Sequence, residues 1–278
     1  MKTWLRIVIA CAAIALIGVS AYKLISINRD YAESDDFYDA AADKFAKPAG
    51  QGNRPAETIS PRPEFSPEPG TTAAPDMTPE PGSDIELPVP PIEVDFDALA
   101  QINPDIVGWL YCENTVINYP VVQAEDNEKY LRRLFDGTHN GAGTLFLDCM
   151  NASDFSGMKN IIYGHHMRND SMFGTLTDYK KQEYYNEHPV FWLLTPDGNY
   201  RLELIAGYVT NASDTKTYSL PRDEESFREF VLNAIGKSTF DSDFDISELK
   251  NTVMLSTCSY EFNNARYVVI ANMIPAGK

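Results

Sequence analysis

Cys258 is the side chain whose setting best suits nucleophilic chemistry. It ends an apolar run that begins at Val253, and a polar stretch over residues 259–264 follows it. Arg266 opens the next apolar run, so two successive predicted strands would present a thiol and a guanidinium near each other. Arginine stays protonated and cannot act as a base. It can donate hydrogen bonds to a developing oxyanion or hold a substrate carbonyl.

A pair of histidines supplies the candidate proton carrier. His165 and His166 follow Ile-Ile-Tyr-Gly at 161–164, a pattern that predicts a buried strand ending at Gly164. Loops at strand ends are where folds present catalytic side chains. A thiol and an imidazole in contact can exchange a proton, so that the thiolate attacks and the imidazolium protonates a leaving amine. The spacing alone leaves a functional pairing of Cys258 with His165 and a chance coincidence equally open.

The other three cysteines have settings typical of inert thiols. Cys112 and Cys149 lie in or beside predicted strands, where a buried thiol is the ordinary interpretation. A disulfide between them is permitted in an exported domain, although nothing in the sequence specifies it. Cys11 lies inside an apolar N-terminal run. Neither Cys258 nor His165 has companions at zinc-like spacing, so we expect no metal and no cofactor.

Residues 1–29 predict a membrane segment. An apolar run extends over residues 7–27, with Lys2 and Arg6 before it and only Lys23 as a charged residue inside it. A helix of about 20 residues spans a bilayer core, and a lysine near its end can extend its amine to the interface. The run is long for the apolar part of a secretory signal, which favours an uncleaved anchor over a cleaved signal with its site near Ser20. Either interpretation exports the rest of the chain.

Residues 30–91 predict an extracellular, disordered spacer. Of the 18 prolines, 12 fall between positions 48 and 91, and bulky apolar residues are scarce there. Such a composition cannot bury enough surface to offset its chain entropy, so an extended polyproline conformation is expected. The spacer would hold a domain away from the bilayer or act as a plain tether. The acidic, alanine-rich stretch at 30–47 is also compatible with a short helix that continues the anchor.

Residues 92–278 predict one folded, mainly β domain. The formal net charge of -17 argues against nucleic acid as a partner. Asp95 is placed to cap a short helix over 96–102, and the apolar spacing of residues 227–235 predicts an amphipathic helix over 222–236. About seven or eight short strands with few helices indicate a closed barrel or a sandwich. The predicted strands cover residues 116–122, 143–148, 160–163, 190–195, 200–209, 252–257 and 266–273.

The ordered set of motifs in this domain resembles the class B sortases, membrane-anchored cysteine transpeptidases of Gram-positive bacteria. Leu-Ser-Thr-Cys at 255–258 is similar to the family's Leu-x-Thr-Cys signature, and Arg266 falls where its catalytic arginine sits. The helix at 222–236 matches the long helix that class B inserts between two barrel strands. The resemblance covers residues 92–276. Further matching segments are Gly-Trp-Leu at 108–110, residues 117–123, 126–127 and 130–131, Tyr-Gly-His-His-Met at 163–167, and Ser-Met-Phe at 171–173.

The resemblance implies a fold and a set of roles. The fold would be a sortase-type closed β-barrel of about eight strands, with an N-terminal helix and one long inserted helix. Cys258 would be the nucleophile, His165 the general acid and base, and Arg266 the group that stabilises the oxyanion or positions the substrate. His166 in the place of His165 is the weaker alternative. The implied substrate-binding residues are Thr257, Ser256, Asn127, Leu131 and Tyr218.

The implied activity is a transpeptidation on the outer face of the cell membrane. Cys258 would cleave the C-terminal sorting signal of a surface protein after a threonine and transfer that protein to an amine. The amine would belong to a lipid-linked peptidoglycan precursor or to a pilin subunit. The interval of eight residues between Cys258 and Arg266 is shorter than in several class B members, which leaves the role of this loop in substrate choice open. The alternatives are a cysteine peptidase that uses water, and a stalked binding module in which Cys258 is a core thiol.

Overall fold

The computed structural model describes residues 2–50 and 87–277. Most of the predicted proline-rich spacer, residues 51–86, therefore lies outside the described residues. The helices are α1 (Lys2–Phe45), α2 (Phe96–Ile102), α3 (Gln182–Glu187), α4 (Thr215–Tyr218) and α5 (Glu224–Lys237). Short 3-10 helices cover Gly174–Lys180 and Ile246–Glu248. The strands are β1 (Ala46–Pro48), β2 (Ile92–Val94), β3 (Ile106–Tyr111), β4 (Asn118–Val122), β5 (Leu145–Leu147), β6 (Lys159–Tyr163), β7 (Val190–Leu194), β8 (Asn199–Asn211), β9 (Thr252–Cys258) and β10 (Ala265–Ala276).

Eight of these strands close into a barrel, in the order β10, β8, β7, β3, β4, β5, β6 and β9. The pairs β4–β5 and β6–β9 are parallel, and the other pairs are antiparallel. Closure removes the exposed sheet edges that an open sheet would present. The structure confirms the predicted mainly β architecture with a barrel of about eight strands.

The inserted helix α5 packs on the outer surface of the barrel. Phe227, Val231 and Ala234 are buried on one of its faces against a second apolar cluster that includes Met254 and Val268. This cover explains why β9 and β10 are buried on both faces and lack the alternation of a half-exposed strand. The Asp223 side chain caps the helix by accepting from the backbone N–H of Ser226, so α5 begins two residues later than predicted.

Strand β3 is the barrel strand that the sequence pattern missed. Gly108 interrupts its apolar run and gives the segment the appearance of a turn. In the fold, a Cβ at this position would lie 3.1 Å from the backbone oxygen of Leu194 in the neighbouring strand β7. The close approach of two barrel strands, and not a turn, therefore favours glycine here.

Helix α1 extends well past the predicted anchor, which corrects the predicted start of the spacer at residue 30. Its apolar N-terminal part is long enough to cross a membrane by length and composition. Its C-terminal part packs on the barrel through Tyr38, Ala41 and Phe45, which are buried. The Tyr38 hydroxyl donates to the carbonyl of Gly143 and lies 2.9 Å from the hydroxyl of Thr144. The acidic residues between these apolar positions concealed the buried face of the helix.

The flanks of the proline-rich segment are paired with each other. Strand β1 runs antiparallel to β2, with Ala46 opposite Val94 and Pro48 opposite Ile92. The backbone N–H of Ala49 donates to the carbonyl of Pro91 at 2.9 Å. The chain therefore leaves the described structure beside the point where it returns. It follows that α1, and not the proline-rich segment, joins the apolar N-terminal run to the barrel.

Candidate active site

Strands β9 and β10 place the predicted nucleophile beside the predicted guanidinium. Cys258 is the last residue of β9, is half-buried, and pairs across the strands with Arg266 of β10. Directly opposite residues of an antiparallel pair present their side chains on the same face, with Cβ atoms about 5 Å apart. The Arg266 Nη1 atom donates to the carbonyl of Ala265 at 3.0 Å. That bond fixes one arm of the guanidinium and leaves its other donors available.

The parallel pairing of β6 with β9 brings the histidine loop to the same end of the barrel. Tyr163 pairs with Ser256, and the backbone N–H of Gly164 donates to the Ser256 carbonyl at 3.1 Å. His165 follows Gly164 directly, so it leaves β6 at the same end of the barrel where Cys258 ends β9. Thr257 reinforces the pairing, since its hydroxyl donates to the carbonyl of Gly164 at 2.9 Å. Residues 258 and 266, and the distant residue 165, thus lie at one end of three adjacent strands.

The hydrogen bond of the His165 ring determines which nitrogen can exchange a proton. Its Nε2 atom lies 2.7 Å from the carbonyl oxygen of Leu131. A carbonyl only accepts, so Nε2 carries the hydrogen and Nδ1 is the basic nitrogen of the neutral ring. The backbone oxygen of His165 also accepts from the N–H of Phe173 at 2.9 Å. The ring is therefore oriented by one bond and its backbone by another.

His166 contacts the backbone of the cysteine. Its Nδ1 atom lies 3.0 Å from the carbonyl oxygen of Cys258, which makes Nδ1 the donor. The ring also meets Tyr260 edge to face, with the centroids 5.1 Å apart. His166 therefore ties the histidine loop to the end of β9 and stands next to the nucleophile as a neighbour.

Tyr218 and Ser256 form a polar wall next to these groups. The Tyr218 hydroxyl shares a hydrogen bond of 2.9 Å with the Ser256 hydroxyl, and its ring stacks on Tyr163 with the centroids 6.4 Å apart. Burial raises the pKa of Tyr218, although the bond to Ser256 and the positive charge of Arg266 oppose this. The phenol therefore stays neutral at physiological pH and can donate a hydrogen bond to a peptide.

Asn127 and Leu131 flank the same end of the barrel. The Asn127 amide donates to Asp148 at 3.0 Å, and its oxygen accepts from the backbone N–H of Cys149 at 2.9 Å. The Leu131 side chain is 38% exposed, which leaves it free to contact a ligand. Leu131 also supplies the carbonyl that orients His165. The amide of Asn127 is thus engaged in holding the turn after β5.

No protein-family model matches the chain. Two curated proteins are similar to the chain in sequence. The chain is 32% identical over 185 residues to sortase B of Staphylococcus aureus (strain NCTC 8325 / PS 47), covering 66% of this chain and 76% of the relative. It is 30% identical over 178 residues to sortase B of Listeria monocytogenes serovar 1/2a (strain ATCC BAA-679 / EGD-e), covering 63% and 72%. The chain belongs to the class B sortases.

Solved structures show the same likeness. The S. aureus sortase B–substrate complex superposes with a TM-score of 0.61 at 32% identity, covering 66% of this chain and 85% of that one. Clostridium perfringens sortase B superposes with a TM-score of 0.60 at 31% identity, covering 65% and 100%. The predicted sortase-type barrel is confirmed, and the sortase is a cysteine transpeptidase.

The sequence did not identify Tyr163 and Asp148 as site residues, although both lie at this end of the sortase barrel. The Tyr163 hydroxyl donates to Asp148 at 2.8 Å, and the same carboxylate oxygen accepts from Asn127. Burial, together with the nearby charge of Asp148, raises the pKa of Tyr163. Tyr163 is thereby fixed as the platform on which Tyr218 stacks. The sequence places both residues at the ends of predicted strands, but no local pattern indicates that these two strand ends meet.

The remaining cysteines and the loop after Cys258 complete the site region of the sortase. Cys112 is buried, with a pKa raised by burial to about 11, and both Cys112 and Cys149 are free thiols. Cys112 thus has the predicted setting of a buried thiol, whereas Cys149 is half-buried, and the permitted disulfide is not formed. Glu261 accepts from Lys180 and from the Ser259 hydroxyl, which braces the loop between β9 and β10.

Proposed function

We propose that Cys258, His165 and Arg266 carry out the transpeptidation, and that this sortase cleaves a C-terminal sorting signal after threonine. The observation that supports these roles is that Cys258 pairs with Arg266, while His165 follows β6 at the same end of the barrel. The transpeptidase activity belongs to the family, whereas the residue roles, the signal and the acceptor are the proposal.

The first half-reaction is an acylation of Cys258. His165 Nδ1 takes the thiol proton, and the Cys258 sulfur forms a bond to the carbonyl carbon of the threonine. Arg266 donates to the oxygen on which negative charge develops. The C–N bond then breaks, the leaving amine takes the proton from His165, and the surface protein remains on Cys258 as a thioester.

The second half-reaction reverses these proton transfers. An acceptor amine loses its proton to His165 and attacks the thioester carbon, which forms a new amide and releases the Cys258 sulfur. Solved sortase B structures include one complexed with triglycine and one complexed with substrate. They support an amine-terminated peptide as the acceptor class and a peptide groove as the donor site. For this sortase we assign the amine to a lipid-linked peptidoglycan precursor, with a pilin amine as the alternative.

The helix α1 is the proposed single-pass anchor, with the barrel on the extracellular side. Lys2 and Arg6 precede its apolar run, as expected for a cytoplasmic N-terminus. The same helix contacts loops around the site, because the Asn169 amide donates to Asp35 at 2.8 Å. An anchor that continues into the domain keeps the active site at the membrane face where surface proteins and lipid-linked acceptors meet.

Mass spectrometry of the enzyme with a library of signal peptides tests the proposal. We expect a thioester adduct on Cys258, its absence in Cys258→Ala, and its conversion to a new amide when triglycine or another amine is added. Hydrolysis at the same rate with and without the amine would identify a plain peptidase. A Cys258 that forms no adduct with any peptide, in a protein whose Cys258→Ala variant still binds ligands, would identify a binding module.

A further inference from the structure

Lys159 is a buried cation that the proposed mechanism does not use. It is 1% exposed and opens β6, a strand position where an apolar residue would be expected. Its Nζ atom donates to the carbonyl oxygens of Thr217 at 2.8 Å and of Ser219 at 2.6 Å. It also lies 4.2 Å from the centroid of the Phe230 ring on α5. Burying an ammonium group is costly, so a fold retains one where its hydrogen bonds are needed.

The two carbonyls that Lys159 binds stand on either side of Tyr218. They belong to α4 and its C-terminal end, a single helical turn that Asp214 caps by accepting from the backbone N–H of Lys216. One turn of helix has little stability of its own. Fixing the peptide groups before and after Tyr218 fixes the direction in which its side chain leaves the backbone. That direction takes the Tyr218 hydroxyl to Ser256 and its ring to Tyr163.

The charge of Lys159 suits this structural use. Burial lowers its pKa to about 8, while the carboxylates of Asp148 and Asp214 oppose that shift. The amine is therefore mostly protonated at neutral pH, and its donors serve two carbonyl groups and a ring face. An apolar side chain of similar length would leave both carbonyls without this partner, which is most costly at the buried residue Thr217.

We propose that Lys159 is a positioning residue for peptide recognition, which holds Tyr218 in place in the sorting-peptide groove by binding the backbone on both sides of it. This inference rests on the proposed function of the groove. It assigns to a residue outside the groove the task of keeping the groove wall in its binding geometry. Lys159 itself does not touch the reacting atoms, so it should affect peptide binding and not the chemistry of Cys258.

The test compares Lys159→Met with Lys216→Met, a matched control that removes a cation from the exposed surface of the same turn. We expect Lys159→Met to raise KM for the signal peptide roughly tenfold, with kcat changed less than about twofold. Alkylation of Cys258 by iodoacetamide, which needs no peptide groove, should proceed at the wild-type rate. Lys216→Met should match the wild type in all three measurements. A fall in kcat or in alkylation rate, with KM unchanged, would overturn the proposal.

A double-mutant cycle shows whether Lys159 acts through Tyr218. The KM of Lys159→Met combined with Tyr218→Ala should equal that of Tyr218→Ala alone, because Lys159 then has no tyrosine side chain to position. Independent, multiplicative effects would contradict the inference. If Lys159→Met does not unfold cooperatively, Lys159→Gln, which keeps a donor for one carbonyl, takes its place with a smaller expected rise in KM.

Hydrogen exchange separates a failure of this inference from a failure of the proposed function. Backbone amides of residues 216–220 should exchange at least about tenfold faster in Lys159→Met than in the wild type, whatever the enzyme acts on. Unchanged exchange there would show that Lys159 does not hold the turn. If these amides exchange faster in Lys159→Met and the wild type forms no thioester with any peptide, the proposed function is wrong, whereas the role of Lys159 in holding the turn is confirmed.

Discussion

Replacing Arg266 by lysine isolates the contribution of the guanidinium next to the nucleophile. Arg266 lies directly opposite Cys258 in the β9–β10 pair, which fixes the position of its Cα atom. The hydrogen bond from Nη1 to the Ala265 carbonyl fixes one arm of the guanidinium. Arginine can keep this bond and still direct its remaining donors at an oxyanion. Lysine has one ammonium centre and cannot hold both positions with the same geometry. Arg266→Lys therefore keeps the charge and removes the second point of contact.

The expected loss follows from the energy of one oxyanion donor. Removal of such a donor costs about 3 kcal/mol of transition-state stabilisation, which corresponds to a rate reduction of roughly 100-fold. Because the contact strengthens only as charge develops, kcat should fall while KM stays within about threefold. The assay is a single-turnover acylation with a signal peptide, quenched at timed intervals and read as the thioester adduct by mass spectrometry.

Arg228→Lys provides the matched control for this measurement. Arg228 lies on α5, where its Nη1 atom donates to the carbonyl of Ile246 at 3.4 Å. The Arg228→Lys enzyme should form the thioester at the wild-type rate. An Arg266→Lys enzyme that also acylates at the wild-type rate would show that the guanidinium geometry is not used. A rise in KM without loss of kcat would instead make Arg266 a substrate-binding residue.

Three further perturbations test the surrounding structure. Val231→Ala should destabilise the barrel by about 2 kcal/mol, through lost methyl burial and a cavity under α5, and lower Tm by about 6 °C in a calorimetric scan. Glu261→Gln should destabilise by less than about 1 kcal/mol at pH 7. Although partial burial raises it, the pKa of Glu261 is lowered to about 2 by Lys180 and Ser259, so the difference should shrink in urea titrations as pH falls from 4.5 toward 2. Replacing residues 51–86 by a short Gly-Ser linker should leave kcat/KM within about twofold, because β1 and β2 already pair at its flanks.

The local part of the site could be predicted from the sequence because a hairpin determines it. Cys258 and Arg266 are separated by one loop, so a strand, a polar turn and a second strand suffice to bring them together. His165 is different, since it comes to the same end of the barrel as Cys258 through the parallel pairing of β6 with β9, which are distant in the chain. No local pattern specifies that pairing, and the resemblance to sortases was what indicated it.

The contacts that hold the groove wall could not be predicted for the same physical reason. Lys159 opens a strand, and a lysine at such a position ordinarily indicates a solvated edge. Its partners, the carbonyls of Thr217 and Ser219, follow about 60 residues later and are backbone atoms without a sequence signature. Tyr163 and Asp148 are likewise joined only by barrel closure. Residue types report burial well, whereas long-range polar contacts depend on the closed fold.

The proline-rich stretch shows how composition alone can suggest the wrong connection between two segments of a chain. Its 12 prolines argue against packed structure, which suggested a stalk between anchor and barrel. Instead, β1 and β2 pair at the two flanks of the stretch. Helix α1 continues from the apolar segment to Tyr38, which contacts the barrel. At 1.5 Å per residue, Tyr38 lies roughly 16 Å along the helix beyond residue 27. If α1 is the anchor, the barrel is held at a short, fixed height. On the proposed function, a site that takes a membrane-bound protein and a lipid-linked amine gains more from that fixed height than from a long flexible linker, because the search for both substrates is confined to the bilayer face.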